Sequence, residues 1–431
     1  MRPPRVPVAV PEALLLSALV FAPLAFGATE AWSRAILEAL LFSLAAATFL
    51  SRRGGRGEPG PFLTDKTLLP AVLALWALGA AQWLNFRPYQ FPAVWAPFTV
   101  SRADTGRALL LWAAYACLLW SAPRVLARPD ARRRLLWTIF GLGALIAVIG
   151  IAQQGQGNTA YYGLRHVRWG DPFGPFANRD HGAAFLVMCA FTGAGLFASR
   201  LSQLSRLRTL GQKSDLAASQ TAVLFLLGVV LAGVLAAKSR GAFNSLFLSA
   251  GLAGAYWLWR ARRAARLWAA PALLAAVLGY ALFLIRHPIY FGNLTGTPDS
   301  STAWRLSMYR SGLRLLADFP LWGVGLGAVR RVFPAYQDPL VVGQVLHVHS
   351  DWLEAALELG LAGIALLAAG LTAFAAGALR RLSAEPSRSA RLISTGLLCA
   401  AGSFLLHEAV DFPGAIPGDA CLAVVIAGAL P

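Results

Sequence analysis

The sequence predicts an all-α, polytopic integral membrane protein with about 12 transmembrane helices. Hydrophobic residues make up 57% of its 431 residues and charged residues only 13%, and the mean hydropathy of +0.58 is far above that of a soluble domain. Apolar runs that can cross a bilayer core, which takes roughly 20 helical residues, recur along the whole chain. The basic residues gather in alternate loops, as connections on one side of a membrane do.

Each predicted span is an apolar run bounded by charged or turn-forming residues. Arg2 and Arg5 before the first run, and the small residues of "LAFGATEA" after it, would also suit a cleavable signal peptide. Eleven further runs favour a retained first helix instead. The predicted spans are 7–27, 34–50, 67–85, 106–122, 134–153, 181–199, 219–237, 241–258, 267–285, 352–379, 392–408 and 415–430.

The net charge of +18 is explained by topology. With both termini in the cytoplasm, the predicted cytoplasmic segments carry 23 basic and five acidic side chains, so their net charge equals that of the whole chain. The basic composition therefore requires no nucleic acid partner. The four cysteines lie in apolar runs without a CxxC pair, which predicts neither a disulfide framework nor a thiolate metal site.

Two predicted outer loops, 154–180 and 286–351, are much longer than the others. Apolar side chains recur at helical spacing in the second of them, at Leu306, Tyr309, Leu313 and Leu316. We expect a short amphipathic helix over 302–317 that lies on the outer face of the membrane, ends at "DFP" and is followed by a glycine-rich turn. The cytoplasmic loops are too short for a soluble domain, so residues 1–431 form one predicted integral domain.

The stretch "HVHSDWLE" places His347 and His349 immediately before a long apolar run. Ser350 is a predicted N-cap, and carboxylates in the next turn suit the positive end of the helix dipole, so a good helix start explains the acids. It does not explain the histidines, which are candidates for acid–base chemistry at the predicted outer surface. A metal site is the alternative, but Val348 on an extended segment would point the two rings apart, so we predict no metal ion here.

Arginines mark a second candidate site at the predicted outer boundary. "KSRGAF" places Lys238 and Arg240 between two apolar runs with almost no loop. A guanidinium group at that depth is costly unless it finds an anionic partner, although it can also snorkel to the headgroups. Further polar side chains lie at the start of a span or in the long outer loops: Arg168, Asn178, Arg179, Asp180, His181, Arg305, Arg310 and Arg314. If they converge, their guanidinium groups would match the phosphate oxygens of a lipid-linked diphosphate two at a time.

These motifs resemble those of the O-antigen ligase and polymerase family, whose members use undecaprenyl-diphosphate-linked glycans. The ligase pattern is His, then Asn, Ser or Gln, nine residues, Gly, two residues and a small residue, and it is matched by His349, Ser350, Gly360 and Gly363. "KSRGAF" is similar to the family's Ser-Arg-Gly signature, "DFPLWGVGLG" to its Pro-x-x-Gly-x-Gly-x-Gly turn, and "FGPFANRDHGAAFL" to its Gly-x-Phe-x-Asn block. The resemblance covers roughly 165–375.

The resemblance implies a GT-C-like enzyme that carries out inverting glycosyl transfer, without metal or cofactor, at the periplasmic face of the bacterial inner membrane. It implies that His349 is the general base for the acceptor hydroxyl, a role that suits imidazole because it is largely neutral at neutral pH. Arg240 and Arg305 would neutralise the diphosphate leaving group. Further diphosphate ligands would be Arg310, Arg179 and Lys238, and the supporting residues would be His347, Ser350, Asn178, Gly360 and Gly363. The implied substrates are an undecaprenyl-diphosphate-linked glycan and a lipid A core or glycan acceptor.

Three other functions fit part of the sequence. They are polymerisation of lipid-linked repeat units, transfer to protein hydroxyl groups, and transport by a polysaccharide flippase. A transporter concentrates polar side chains near the midplane of several spans. Here the span centres are nearly uncharged, with Glu38 as the main exception, and the polar residues gather at one interface. This distribution favours chemistry at the membrane surface over translocation.

Overall fold

In a computed structural model, the residues described are 9–52, 62–86, 96–157, 160–166, 170–204, 209–260, 280, 300–341 and 343–430. They fold almost entirely into helices, which confirms the predicted all-α class. The α-helices are Ala9–Leu24, Ala31–Arg52, Leu63–Lys66, Leu68–Leu84, Arg102–Leu126, Pro129–Gly155, Arg179–Leu204, Leu210–Ala236, Arg240–Arg260, Ser300–Asp318, Val329–Val332, Asp351–Ala384, Arg388–His407 and Pro417–Ala429. Short 3-10 helices are Phe26–Ala28, Phe333–Ala335 and Pro413–Ala415, and the strands Ala160–Tyr161 and Arg165–His166 pair antiparallel.

Every predicted span except 267–285 coincides with a helix. That span lies outside the described residues apart from Tyr280, and so do Arg168 and the start of the large loop. Within the described ranges, seven helices are long and apolar enough to cross a membrane. Three further apolar helices are shorter: Ala9–Leu24, Leu68–Leu84 and Pro417–Ala429. The polytopic membrane class is confirmed, and the count of twelve spans stays a prediction.

The helices pack into two compact units, each built from separated stretches of the chain. The first unit comprises Met1–Leu135, Ser300–Ala384 and Glu408–Pro431. The second comprises Leu136–Asp299 and Glu385–His407. The histidine motif therefore belongs to the first unit and the "KSRGAF" motif to the second. The single integral domain stays a prediction.

At one end of the first unit, charged side chains pair with partners from the same predicted side of the membrane. The Glu12 carboxylate accepts hydrogen bonds from Arg128 at 2.8 Å and from Arg134 at 2.5 Å. Arg124 pairs with Asp65 at 2.8 Å. All five residues lie in or beside predicted cytoplasmic segments. The alternation of the helices across a membrane stays a prediction.

Glu38 also has a partner within its own helix. Its carboxylate accepts a hydrogen bond from Arg34 Nε at 3.0 Å, one turn earlier. Because Ala31–Arg52 begins only two turns before Glu38, this acid lies toward one end of the helix rather than at its centre. The main exception to the uncharged span centres is thus an ion pair near a helix end.

The side chain of Gln153 fixes the loop between Pro129–Gly155 and Arg179–Leu204. Its amide nitrogen donates to the carbonyl of Ala160 at 2.6 Å, and its oxygen accepts from the backbone of Gly174 at 2.6 Å. Both polar groups of this buried side-chain amide are hydrogen-bonded, and they pair with backbone groups that have no partner in regular secondary structure. It thereby holds the segment that leads to Arg179.

The large loop contains the predicted helix, which also buries a second face inside the protein. The helix spans Ser300–Asp318, against 302–317 expected. Leu306 and Leu313 are 43% and 57% exposed, whereas Met308 and Leu315 are completely buried. The buried face packs into a core that the loop itself supplies. The exposed leucines remain on a surface of the kind that lies against lipid.

That core joins the loop to the start of the helix Asp351–Ala384. Its buried members come from the loop helix, from the segments that follow it and from Val348, next to His349. Burial of so many aliphatic and aromatic side chains is what fixes a loop of this length in one conformation. The buried members are Met308, Leu315, Phe319, Val324, Val329, Phe333, Val341, Val345, Val348 and Leu357.

Candidate active site

Gly360 breaks the helix Asp351–Ala384 at the end of its first three turns. Its backbone has φ 67° and ψ −173°, a conformation that is essentially restricted to glycine. A Cβ at this position would also collide with the carbonyl group of Leu321. The glycine that closes the nine-residue spacing from Ser350 is therefore required by the backbone.

The glycine turn, residues 320–327, occupies the break and pairs its backbone groups. On one side, the amide of Leu361 donates to Pro320 at 2.8 Å. On the other, Val324 donates to the carbonyl of Leu357 at 2.9 Å and Gly325 to that of Glu358 at 3.1 Å. A helix interrupted inside a membrane needs such partners for its unpaired backbone groups. The two motifs recognised separately in the sequence thus form one structural unit.

Gln82, from the helix Leu68–Leu84, holds this unit from the side. Its amide nitrogen donates to the carbonyls of Trp322 at 2.7 Å and Glu358 at 2.8 Å, and its oxygen accepts from the amide of Leu326 at 3.0 Å. The side chain is completely buried. Sequence reasoning missed this residue, although a glutamine inside an apolar helix was a signal that it had polar partners.

Gly360→Ala is expected to destabilise the fold by about 2–4 kcal/mol, because alanine must adopt a glycine-only conformation and push the glycine turn away. Thermal unfolding of the purified protein in detergent measures the effect. Gly228→Ala is the matched control, since nothing lies within 4 Å of a Cβ there and alanine is the better helix former. Equal melting temperatures for the two variants would contradict the role given to Gly360.

The residues around Ser350 fix the backbone of the histidine motif. The Ser350 side chain accepts the amide of Leu353 at 3.3 Å, which confirms the predicted N-cap. The amide of Asp351 donates to the carbonyls of Glu408 at 2.9 Å and Asp411 at 3.1 Å, which ties this helix start to the segment after Arg388–His407. His349 itself has φ 53°, an uncommon backbone conformation for a residue with a side chain. Such strain is often found where a side chain must be aimed.

The imidazole of His349 is held by a buried carboxylate and two aromatic rings. Its Nδ1 lies 3.1 Å from Oδ1 of Asp411, whose side chain is 1% exposed. The rings of Trp304 and Phe412 meet it edge-on, with centroids 5.4 Å and 4.7 Å away. A neutral imidazole that donates from Nδ1 to a carboxylate has its basic lone pair on Nε2. This arrangement is the orienting half of a general-base dyad.

His347 has a carboxylate partner of its own. Its Nδ1 lies 2.8 Å from Oε1 of Glu354, whose Oε2 accepts the amide of Val348 at 3.0 Å. Its ring stacks on Phe412 with centroids 4.6 Å apart. Burial by itself would lower the pKa of His347, but the Glu354 carboxylate overrides it and raises the pKa above the ordinary value. Protonated His347 therefore stabilises the folded histidine motif at pH values below the ordinary pKa of histidine. This stabilisation is lost as the pH rises through the raised pKa of His347.

Of the predicted phosphate ligands in the first unit, Arg305 lies beside this cluster. Its Nη1 donates to the carbonyl of Val410 at 3.1 Å, one residue before Asp411. Arg310 is exposed on the same helix. Arg314, one turn further on, lies 3.6 Å from Asp338. Arg305 and His349 thus bind neighbouring residues of one segment, Val410 and Asp411.

The remaining predicted ligands belong to the second unit. Ser239 caps the helix Arg240–Arg260 by accepting the amide of Ala242 at 3.3 Å, so Arg240 stands in its first turn after Lys238, which has φ 52°. In the other motif, Arg179 pairs with Asp171 at 2.7 Å. Asn178 accepts the amide of Asp180 at 2.9 Å, which gives it a capping role. Their convergence with His349 stays a prediction.

Besides Gln82, sequence reasoning missed four residues of the site: Trp304, Asp411, Phe412, and Glu354 in its role toward His347. For Glu354 the sequence indicates only an interaction with the helix dipole. The signal for Asp411 and Phe412 was "DFPG", an acid and an aromatic residue in a short connection between apolar runs.

A comparison with protein families matches residues 222–368 to the model described as O-antigen ligase. The matched stretch contains three of the motifs that carried the resemblance, which are "KSRGAF", "DFPLWGVGLG" and the pattern from His349 to Gly363, whereas "FGPFANRDHGAAFL" precedes it. A comparison with curated proteins finds no match to the chain. Residues 222–368 are therefore similar to the O-antigen ligase family that the motifs resemble, and together with the apolar helices this match indicates a bacterial membrane protein.

Proposed function

We propose that the protein is an O-antigen-ligase-type glycosyltransferase. It moves a glycan from an undecaprenyl-diphosphate carrier to a hydroxyl group of a lipid A core or similar acceptor, at the periplasmic face of the inner membrane. The observation that carries the proposal is the His349–Asp411 pair at 3.1 Å, directly before a membrane helix. A lipid-anchored donor delivers its reactive bond at about that depth, while the acceptor approaches from the aqueous side.

The proposed reaction is a single inverting displacement. Nε2 of His349 takes the proton of the acceptor hydroxyl as its oxygen attacks the anomeric carbon of the donor. The bond from that carbon to the diphosphate oxygen breaks, and the electron pair leaves with the diphosphate. The buried Asp411 carboxylate stabilises the imidazolium that forms. The diphosphate is a good leaving group, so the step needs no carboxylic general acid such as glycosidases use.

Arg240 and Arg305 are the proposed ligands of the departing diphosphate. Charge on its oxygens grows as the glycosidic bond breaks, so guanidinium groups stabilise the transition state more than the ground state. Support comes from the place of both residues inside the matched domain. The Glu38–Arg34 pair adds indirect support, because it removes the main charged exception in the spans and with it an argument for a transporter.

The decisive experiment incubates the purified protein with an undecaprenyl-diphosphate-linked oligosaccharide, with and without a lipid A core acceptor, in the presence of EDTA. Product that requires the core and survives chelation is the expected result. Chain growth without the core would identify a polymerase instead. Unchanged donor in both reactions, from a folded protein, would contradict the proposed transferase.

Arg240→Lys is expected to lower kcat about tenfold to 100-fold, because lysine keeps the charge but loses the planar pair of donors that matches two phosphate oxygens. Initial rates at saturating donor measure the loss. Arg260→Lys, at the opposite end of the same helix, is the matched control and should keep the wild-type rate. A wild-type kcat for Arg240→Lys would contradict the diphosphate role.

A further inference from the structure

The first unit contains an open cavity of about 590 Å³ next to the candidate active site. This volume is within the range of about 300–1,000 Å³ that is usual for small-molecule sites. Its lining includes Arg107, Arg330 and His347, and His347 is two residues from His349. The mechanism above uses none of the charged groups in this cavity. They therefore call for another role.

One buried carboxylate organises the arginines of this cavity. Asp104, whose side chain is 2% exposed, accepts hydrogen bonds from Ser101 Oγ at 2.7 Å and from Arg107 Nη1 at 3.0 Å. It also accepts from Arg331 Nε at 2.7 Å and from Arg330 Nη2. A carboxylate has about four lone-pair positions, so these four donors fill the capacity of Asp104.

The guanidinium groups around Asp104 retain both charge and donors. Three arginines face one carboxylate, which leaves this arginine cluster (Asp104, Arg107, Arg330 and Arg331) with an excess of two positive charges. Each guanidinium has about five N–H donors, far more than the carboxylate can accept. The side chains of Arg107 and Arg330 are 62% and 37% exposed, although the carboxylate that holds them is buried. Each of these two guanidinium groups thus has some N–H donors bound to Asp104 and others accessible to a ligand.

The other acids that line the cavity are already engaged. Glu38 pairs with Arg34 at 3.0 Å. Glu354 binds His347 and the backbone of Val348. Glu358 accepts hydrogen bonds from the backbone amides of Gly327, which ends the glycine turn, and of Val329. Among the described residues, none of these three carboxylates forms an ion pair with Arg107 or Arg330, so both guanidinium groups keep N–H donors that can meet a ligand.

We infer that this cavity binds an anionic saccharide, with phosphate or carboxylate oxygens of the sugar paired to Arg107 and Arg330. Preformed guanidinium groups favour such oxyanions because the cost of ordering them has been met by Asp104. The neighbouring mixture of donors and acceptors, from Arg34, Glu38 and His347, suits sugar hydroxyl groups. The inference rests on the proposed function, in which the cavity holds the acceptor glycan beside His349.

Binding can be measured without any transfer reaction. The full-length protein in phosphatidylcholine nanodiscs is titrated with glucose 6-phosphate, glucuronate and glucose, and saturation-transfer NMR gives the affinities. Glucose 6-phosphate and glucuronate are expected to bind at least about tenfold more tightly than glucose, as charge-assisted hydrogen bonds imply. Arg330→Gln and Arg107→Gln should each weaken the two anionic sugars about tenfold. Arg380→Gln, an exposed arginine at the far end of Asp351–Ala384, should leave them unchanged.

Three outcomes would overturn the inference. They are equal affinity for glucose and glucose 6-phosphate, an equal loss in Arg380→Gln, and undiminished affinity in Arg107→Gln, whose exposed side chain can be replaced without unfolding the cluster. Nanodiscs that contain phosphatidylglycerol distinguish the source of the anion. If that lipid abolishes binding of the sugar phosphate, the site takes a lipid headgroup and not a glycan. His349→Ala should bind the sugars like the wild type, because binding does not require the general base. The sugar titration therefore tests the cavity, and the transfer assay tests the transferase proposal separately.

Discussion

Replacing His349 with alanine is expected to reduce glycan transfer by about 100- to 10,000-fold, the usual contribution of a general base. The variant loses the imidazole that Asp411 orients and that Trp304 and Phe412 enclose. Because the base acts on the acceptor hydroxyl and not on the carrier lipid, the KM for the donor should change little while kcat falls. Initial rates over a range of donor concentrations separate the two parameters.

His166→Ala is the matched control for this variant. His166 is exposed on a short strand of the other long loop, so its loss should leave the rate unchanged. Thermal unfolding of both variants shows whether the fold is intact. A folded His349→Ala protein that retains more than about a tenth of the wild-type kcat would contradict the general-base role.

The residues of the ligase pattern could be predicted from the sequence because their spacing is local. Ser350 caps a helix whose apolar run is visible in the sequence, and Gly360 follows in the same element. The reason for Gly360 was not visible, since the glycine turn that fills the break lies about 35 to 40 residues earlier in the chain. Periodicity identifies helices but does not show which distant segment approaches them.

The carboxylate partner of His349 illustrates the same limit. Asp411 follows His349 by 62 residues in the chain, and two membrane helices lie between them in the sequence. Gln82 is separated from Trp322 by 240 residues. Contacts of this range depend on the packing of whole helices, which one sequence alone does not encode in any local pattern. The second, buried face of the loop helix could not be predicted for a related reason, because its partner is a core formed by later segments.

Asp411→Asn is expected to lower kcat by about 100-fold or more. The amide keeps the size of the side chain, but it cannot stabilise the imidazolium that forms when His349 takes the acceptor proton. It can also present its NH₂ group to Nδ1, which would favour the tautomer with the lone pair on the wrong nitrogen. Since Asp411 acts through His349 and does not touch substrate, it is a positioning residue. Its loss should reduce kcat and leave the KM for donor and acceptor nearly unchanged.

Asp338→Asn makes the same chemical change at a carboxylate that lies 3.6 Å from Arg314 on the large loop. It should have a wild-type rate. Asp411→Glu keeps the charge at a shifted position and should recover part of the lost kcat, which a purely structural role for Asp411 would not predict. If Asp411→Asn instead raised both KM values at constant kcat, Asp411 would serve to shape the binding site. His349 would then need another source of orientation, and the dyad proposed here would be wrong.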